Sequence, residues 1–258
     1  MQEILFRDLG NMAYQEAWDY QEVLLQKNLQ IKAALRKREE LAAIDGEDLV
    51  GEGNNTMAEE VPETTHYLLF VEHPAVYTLG KSGHIENVLL DKAGMEQKGV
   101  QFFRTNRGGD ITFHGPGQIV GYPILDLEKF YTDIGKYLRS LEEVIIQLLA
   151  VYGIRGERSA GETGVWIEPG IKGKERKICA IGVRCSRWVT MHGFAFNVNT
   201  DLAWFGDIIP CGIQDKQVTS LEKELGHPIP IDAVKEELKR QFEKVFEVQL
   251  IPGDQAGF

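Results

Sequence analysis

The chain lacks most of the features that would set it apart from an ordinary globular enzyme. It has only three cysteines in 258 residues, an odd number that cannot close into a complete disulfide framework and that fits a reducing, cytoplasmic setting. It has no apolar run long enough to span a membrane, and its start, Met-Gln-Glu-Ile-Leu-Phe-Arg, does not read as a secretory signal. It also lacks a surplus of basic residues. The formal net charge of −11 argues against general nucleic-acid binding, which needs positive surface to neutralise phosphates. The glycine-rich stretch from Arg107 to Gly117 has neither the Gly-Lys-Ser/Thr ending of a phosphate loop nor the Gly-x-Gly-x-x-Gly spacing of a dinucleotide fingerprint. Cys179 and Cys185 have no cluster of histidines nearby and not the spacing of a zinc site, so no metal is expected and both read as packing residues of an apolar strand.

What is present is enough for a sizeable core: 43% hydrophobic residues against 26% charged. The acidic charge is unevenly spread. The segment from Arg155 to Arg187 carries eight Lys/Arg and four Asp/Glu, a net +4, which leaves −15 on the rest of the chain. Such a zone suits an acidic macromolecular partner, although a mixed surface with no partner fits it equally.

Along the chain, Glu3 to Leu9 predicts a strand. The recurrence of Ala17, Tyr20, Leu24, Ile31 and Leu35 predicts an amphipathic helix after it. From Glu39 to Glu63 there are nine acids and no Lys or Arg, with Gly46, Gly51 and Gly53 among them, which reads as an exposed acidic insertion. Tyr67-Leu-Leu-Phe-Val-Glu and Val76-Tyr-Thr-Leu follow as two neighbouring strands, with His73 structural in the turn between them. Ile119 to Leu125 is another strand, and Pro123 places it at an edge or a bulge. A helix is expected from about Asp133 to Tyr152, stopped by Gly153, with Tyr137, Leu141, Val144 and Leu148 inward. Further strands cover Gly164 to Ile167, Lys177 to Cys185, Trp188 to His192 and Phe194 to Asn199. Thr219-Ser-Leu-Glu offers a capping box for a short helix ended by Gly226, and a last helix starts near Pro230. With no repeat and no linker between two cores, residues 1–258 read as one α+β domain, a largely antiparallel sheet flanked by helices.

Three stretches are dense enough in special residues to carry chemistry. Arg107-Gly-Gly-Asp-Ile-Thr-Phe-His-Gly-Pro-Gly reads either as a ligand loop, with backbone N–H groups free to donate, or as a complicated turn. Its His114 could bind ligand or cap the turn. Cys211, between Pro210 and Gly212, suits an exposed nucleophile. A thiol with a pKa of about 8.5 needs a positive neighbour to ionise at pH 7. His114, His192 and Lys177 are the candidate partners, and spacing does not choose among them.

Three blocks together resemble the lipoyl(octanoyl) transferases of lipoate biosynthesis, themselves related in fold to the lipoate and biotin protein ligases. They are Arg107-Gly-Gly-Asp-Ile-Thr-Phe-His-Gly-Pro-Gly-Gln; Lys177-Ile-Cys-Ala-Ile-Gly-Val-Arg with Thr190-Met-His-Gly-Phe-Ala-Phe-Asn-Val; and Pro210-Cys-Gly-Ile with Val218-Thr-Ser-Leu. The resemblance is strong from about Tyr67 to Leu221; the acidic insertion at about 39–63 departs from it. It implies a Cys–Lys dyad in which Cys211 carries the acyl thioester and Lys177 lowers its pKa. It implies substrate-binding residues Arg107, Gly108, Gly109, Asp110, Ile111, Thr112, Phe113 and His114, then Ala180, Ile181 and Gly182, then Gly193, Phe194 and Ala195. It implies octanoyl-acyl carrier protein as donor. The acceptors it implies are lipoyl domains of 2-oxoacid dehydrogenase E2 subunits and the glycine cleavage H protein, with no cofactor, ATP or metal and with neither nucleic acid nor membrane as partner. An ATP-dependent lipoate- or biotin-protein ligase, which adenylates a free acid and needs no cysteine nucleophile, is the alternative.

Overall fold

A computed structural model of the chain describes residues 1–45, 62–209 and 217–253. In chain order β1 (Gln2–Asn11) and α1 (Tyr14–Asp45) precede β2 (Tyr67–Glu72), β3 (Val76–Leu79), α2 (Lys92–Lys98), β4 (Gln101–Arg104), β5 (Ile111–His114) and β6 (Gln118–Ile124). Then come α3 (Ile134–Val151), β7 (Glu157–Ser159), β8 (Glu162–Ile167), β9 (Arg176–Ser186) and β10 (Val189–Asn197). The chain continues through β11 (Gln217–Val218), α4 (Leu221–Leu225), α5 (Ile231–Phe246) and β12 (Val248–Pro252).

The apolar run Tyr-Leu-Leu-Phe-Val of β2 is the run expected of a strand covered on both faces. Successive side chains point to opposite sides. Leu68 and Phe70 enter one core with Leu141, Val144 and Leu148 of α3 and Val234, Leu238 and Phe242 of α5. Tyr67, Leu69 and Val71 enter the other with Ala17, Leu24, Leu25 and Leu29 of α1. The main sheet runs β12–β1–β2–β6–β10–β9–β8–β7 with β11 beside β9, and a second sheet, β4–β3–β5, stands apart from it.

The α+β class expected from the sequence is the class observed, with a sheet that is antiparallel from β2 to β7 and parallel at its margins. β1 runs parallel to both β2 and β12, and α1 provides the long return that the consecutive pair β1–β2 needs. α3 begins where Asp133 accepts the Lys136 N–H at 2.9 Å and ends ahead of Gly153, whose φ of 73° only glycine adopts without strain.

Four local expectations are corrected. β3 is not the neighbour of β2, for it pairs with β4 and β5 in the second sheet. The acidic insertion does not begin at residue 39 as irregular chain, for Glu-Glu-Leu-Ala-Ala are strong helix formers and α1 continues through them to Asp45. Residues 39–43 are exposed, as expected, and residues 46–61 lie outside the described residues. Pro123 is not on an edge, since β6 lies between β2 and β10. It is accommodated where the regular β6–β10 register stops at Gly121 opposite Phe194; beyond that point His192 takes a φ of 57° and the Thr190 hydroxyl donates to the Pro123 carbonyl at 2.9 Å. The cap of α4 is Ser220, not Thr219, because Thr219 donates its hydroxyl to Glu224 while Ser220 accepts the Lys223 N–H.

Candidate active site

The Arg107–Gly117 stretch is laid on β9. The Gly108 N–H donates to the Val183 carbonyl at 2.9 Å, and the Arg107 guanidinium donates to the Thr78 carbonyl at 2.6 Å and its hydroxyl at 2.9 Å. A Cβ on Gly182 would lie 2.7 Å from the Gly108 carbonyl oxygen, and one on Gly80 would lie 2.2 Å from that of Gly109. Bare backbone on both sides is therefore what lets loop and strands meet. Asp110 closes the loop through the Ile111 N–H at 2.7 Å and the Asn87 amide at 2.6 Å.

A cavity of about 570 Å³ opens between this loop and β8, β9 and β10, a size typical of small-ligand sites. Arg107, Gly108, Gly109, Asp110, Ile111, Thr112, His114, Lys177, Ala180, Ile181, Gly182, Gly193, Phe194 and Ala195 all line it. Of the described candidates only Phe113 does not. Its ring stacks on Trp204 at 5.3 Å and belongs to a core with Tyr77 and Phe205, because alternation along β5 turns it away from its neighbours Thr112 and His114. Cys211 lies outside the described residues.

Several lining residues were not singled out by sequence. Ile134 and Leu138 bring α3 to the cavity, Tyr14 brings α1, and Gln118, Tyr122 and Asn197 stand on β6 and β10. Gln118 and Asn197 do belong to the motif blocks, but only the fold shows what they do. The Arg107 guanidinium reaches the Thr78 hydroxyl, which lies 3.2 Å from His114 Nε2. His114 Nδ1 lies 2.9 Å from Gln118 Oε1, and the Gln118 amide donates to Asn197 Oδ1 at 2.8 Å. The Asn197 amide then donates to the Thr219 carbonyl at 3.0 Å, and the Thr219 N–H donates to the carbonyl of Lys177 at 2.9 Å. With Gln118 Oε1 as acceptor, His114 is the neutral Nδ1–H tautomer. One buried polar chain thus joins the arginine loop to the backbone of Lys177.

That chain bears on which cation could serve a thiol here. Burial holds the His114 imidazole well below its usual pKa, with repulsion from His73 and Arg107 adding to it. Burial likewise lowers His192 to about 3 and His73 to about 4. All three are neutral at pH 7, so neither His114 nor His192 supplies a positive charge. His73 is structural, as expected, with Nδ1 2.8 Å from the Met12 carbonyl and Nε2 2.8 Å from the Tyr122 hydroxyl. Lys177 lines the cavity from β9 with its ammonium 4.6 Å from the centre of the Trp166 ring.

The described flanks of the Cys211 segment are anchored on both sides. Before it, the Ile209 N–H donates to the Asn87 carbonyl at 2.8 Å. After it, β11 pairs with β9 so that Val218 stands opposite Lys177. Of the other cysteines, Cys179 is buried in the core and burial pushes its thiol up, as a packing residue should behave. Cys185 is exposed, contrary to expectation, because it lies near the tip of the β9–β10 hairpin, opposite Thr190. Among the described residues no three His, Cys, Asp or Glu side chains gather as metal ligands.

The fold is that of the lipoate protein ligases. The chain superposes on the bipartite lipoate protein ligase of Thermoplasma acidophilum with a TM-score of 0.65 at 17% identity, over 98% of this chain and 87% of that one. A lipoate-protein ligase A bound with ATP gives a TM-score of 0.61 at 16% identity, over 98% and 87%. Residues 54–243 match the lipoyl protein ligase A/B catalytic domain model. The octanoyltransferase of Flavobacterium johnsoniae is 54% identical over 250 residues, 96% of this chain and 99% of that protein. The octanoyltransferase of Christiangramia forsetii is 52% identical over 249 residues, 96% and 97%. The chain belongs to the lipoyl protein ligase A/B catalytic domain family, among its octanoyltransferases, and is an acyltransferase.

Proposed function

We propose that the enzyme moves an octanoyl group from octanoyl-acyl carrier protein to the ε-amine of a lysine on lipoyl domains, through a thioester on Cys211. The observation that carries this reading is the cavity itself. It joins the arginine loop, the Ala180–Gly182 and Gly193–Ala195 backbones and Lys177, while the described chain on either side of Cys211 is tied to Asn87 and to β9, the strand that carries Lys177. With His114 and His192 held neutral, Lys177 is the one of the three candidate partners of the thiol that can favour a thiolate.

The Cys211 thiolate attacks the donor thioester carbonyl, and the tetrahedral intermediate collapses with loss of the carrier's thiolate, which takes a proton from the Lys177 ammonium. One thioester replaces another, so no ATP is consumed. Lys177, now neutral, then takes the proton from the incoming amine as it attacks the octanoyl-enzyme. The C–S bond to Cys211 breaks and an amide forms, a downhill exchange. The oxyanion of each intermediate needs donors, and loop backbone N–H groups suit that role, each worth about 10²–10³ in rate.

An acidic carrier would dock beside Lys177. Within the +4 segment Arg158, Arg176 and Arg184 are engaged by Glu142 and Glu143, by Glu168 and Glu224, and by Glu22. Lys172 and Lys174, on the turn entering β9, stand exposed. Lipoyl domains of 2-oxoacid dehydrogenase E2 subunits and the glycine cleavage H protein are the acceptors. Among the described residues no helix is long and apolar enough to cross a membrane.

The deciding experiment mixes the enzyme with octanoyl-acyl carrier protein, without ATP or acceptor, and weighs the intact protein. An octanoyl adduct is expected on the wild type and absent from Cys211→Ala. No adduct on the wild type, or its persistence in the variant, would overturn the covalent route; a requirement for ATP would favour a ligase.

A further inference from the structure

A lysine acts at a fixed point only if its flexible four-carbon stem is held. We propose that Trp166 and Gly164, on β8, are positioning residues that seat the Lys177 side chain. The proposal rests on the reading of Lys177 as the partner of Cys211 and assigns the residues that make it able to serve.

Trp166 stands directly opposite Lys177 across the β8–β9 pair, at a register shift between Val165 and Trp166. The Lys177 ammonium lies 4.6 Å from the indole centre, inside the range of about 6 Å over which a ring face attracts a cation. Trp166 is 3% exposed, so the ring has no freedom to follow the lysine and instead fixes it. Gly164 has a φ of 120°, and a Cβ there would lie 2.6 Å from the Cys179 carbonyl oxygen, 3.5 Å from Cε and 3.6 Å from Cδ of Lys177. The lysine stem therefore passes beside bare backbone.

That backbone is braced from α3. The Gly164 N–H donates to Glu142 Oε1 at 3.0 Å. Glu142 is fully buried, and its other oxygen holds Arg139 at 2.7 Å and Arg158 at 3.1 Å. Among the described residues, the titratable groups near this seat include Glu162, which lines the same cavity from β8, and Cys179, whose buried thiol feels both Lys177 and Glu142. A Trp that merely filled the core would need no cation over its face, and that difference is measurable.

The test follows alkylation of Cys211 by iodoacetamide against pH in a Cys185→Ser background, together with the kinetics of octanoyl transfer. Trp166→Leu should move the alkylation midpoint upward, toward that of Lys177→Ala. It should also lower kcat about tenfold with KM for the carrier thioester unchanged. Trp166→Phe, which keeps a ring face, should recover most of the loss. Wild-type enzyme made with 5-fluorotryptophan, which weakens the ring's attraction for cations at nearly constant shape, should show part of the same shift; fluorination in the Trp166→Phe background should show none. The fluorinated protein decides the matter if Trp166→Leu does not fold. A wild-type midpoint and kcat in Trp166→Leu and in the fluorinated enzyme, with Lys177→Ala shifted, would overturn the seat alone. An unshifted Lys177→Ala would overturn the dyad and the seat with it.

Discussion

The backbone N–H of Thr219 donates to the carbonyl oxygen of Lys177 at 2.9 Å. Through this contact the chain leaving the Cys211 segment rejoins the sheet on the lysine that the segment is proposed to serve. Thr219 is itself held from the other side, for its carbonyl accepts the Asn197 amide at 3.0 Å. The Asn197 side chain is thus the last movable link between the arginine loop and the Lys177 backbone.

Asn197→Ala would strip the Thr219 carbonyl of its side-chain donor and leave the Gln118 amide with the Phe113 carbonyl alone, so that one N–H loses its acceptor, both in buried surroundings. Each group left unpaired costs about 1–3 kcal/mol. Urea denaturation should show a loss of roughly 2–4 kcal/mol, and kcat should fall with it. Asn197→Asp, which keeps the acceptor and loses the donor, should fall between. A loss under about 0.5 kcal/mol, the scatter of ordinary surface changes, would mean that the chain of bonds does not hold the site.

The exposed pair Lys172 and Lys174 makes a separate prediction about the donor. Reversing both to Glu should raise KM for octanoyl-acyl carrier protein severalfold at low salt. The effect should shrink as ionic strength rises and the screening length falls below about 8 Å. With octanoyl-pantetheine, which has no carrier protein, KM should not move. Equal effects on both donors would place the lysines in the thioester pocket and not on a docking face.

Acid should weaken the fold through its buried histidines. Burial lowers His66 and His73 to about 4 and His192 to about 3 in the folded chain. In the unfolded chain each returns to about 6.5. The unfolded state therefore binds protons first, so this stability is complete above about pH 6.5 and is lost as pH falls from there toward about 4. Thermal unfolding followed from pH 8 to pH 4 should give a Tm that is level above neutrality and declines below about 6.5. His73→Gln, which keeps a side-chain partner for Tyr122, should make the decline shallower. A flat Tm down to pH 5 would show that these imidazoles are not held neutral.

Where burial follows from periodicity, the fold was legible. The stripes of α1, α3 and α5 and the doubly covered run of β2 are written in residue order. Six short elements were not: β4, β5, β7, β11 and β12 have four, four, three, two and five residues and α2 has seven, too few for a period to stand out. The parallel pairing of β12 with β1 joins residues near opposite ends of the described chain, and no local pattern carries that information. The site divides in the same way. Arg107 and the glycines announce themselves by composition. The indole facing Lys177, the Asn87 amide beneath Asp110 and the Asn197 bond to Thr219 depend on which strands become neighbours. Phe113 misled because a motif is contiguous in sequence while alternate residues of a strand face opposite ways.

Tyr14, at the first turn of α1, lines the cavity, and Gln21, two turns further on, accepts the backbone N–H of His192 at 2.9 Å. One lining residue of the pocket is therefore contributed by a helix that lies outside all three motif blocks. Substitutions along that helix can reshape the chamber without altering a single motif residue. The chamber's shape thus depends in part on a position that no motif block contains, and a change at Tyr14 would alter the lining while leaving every motif residue in place.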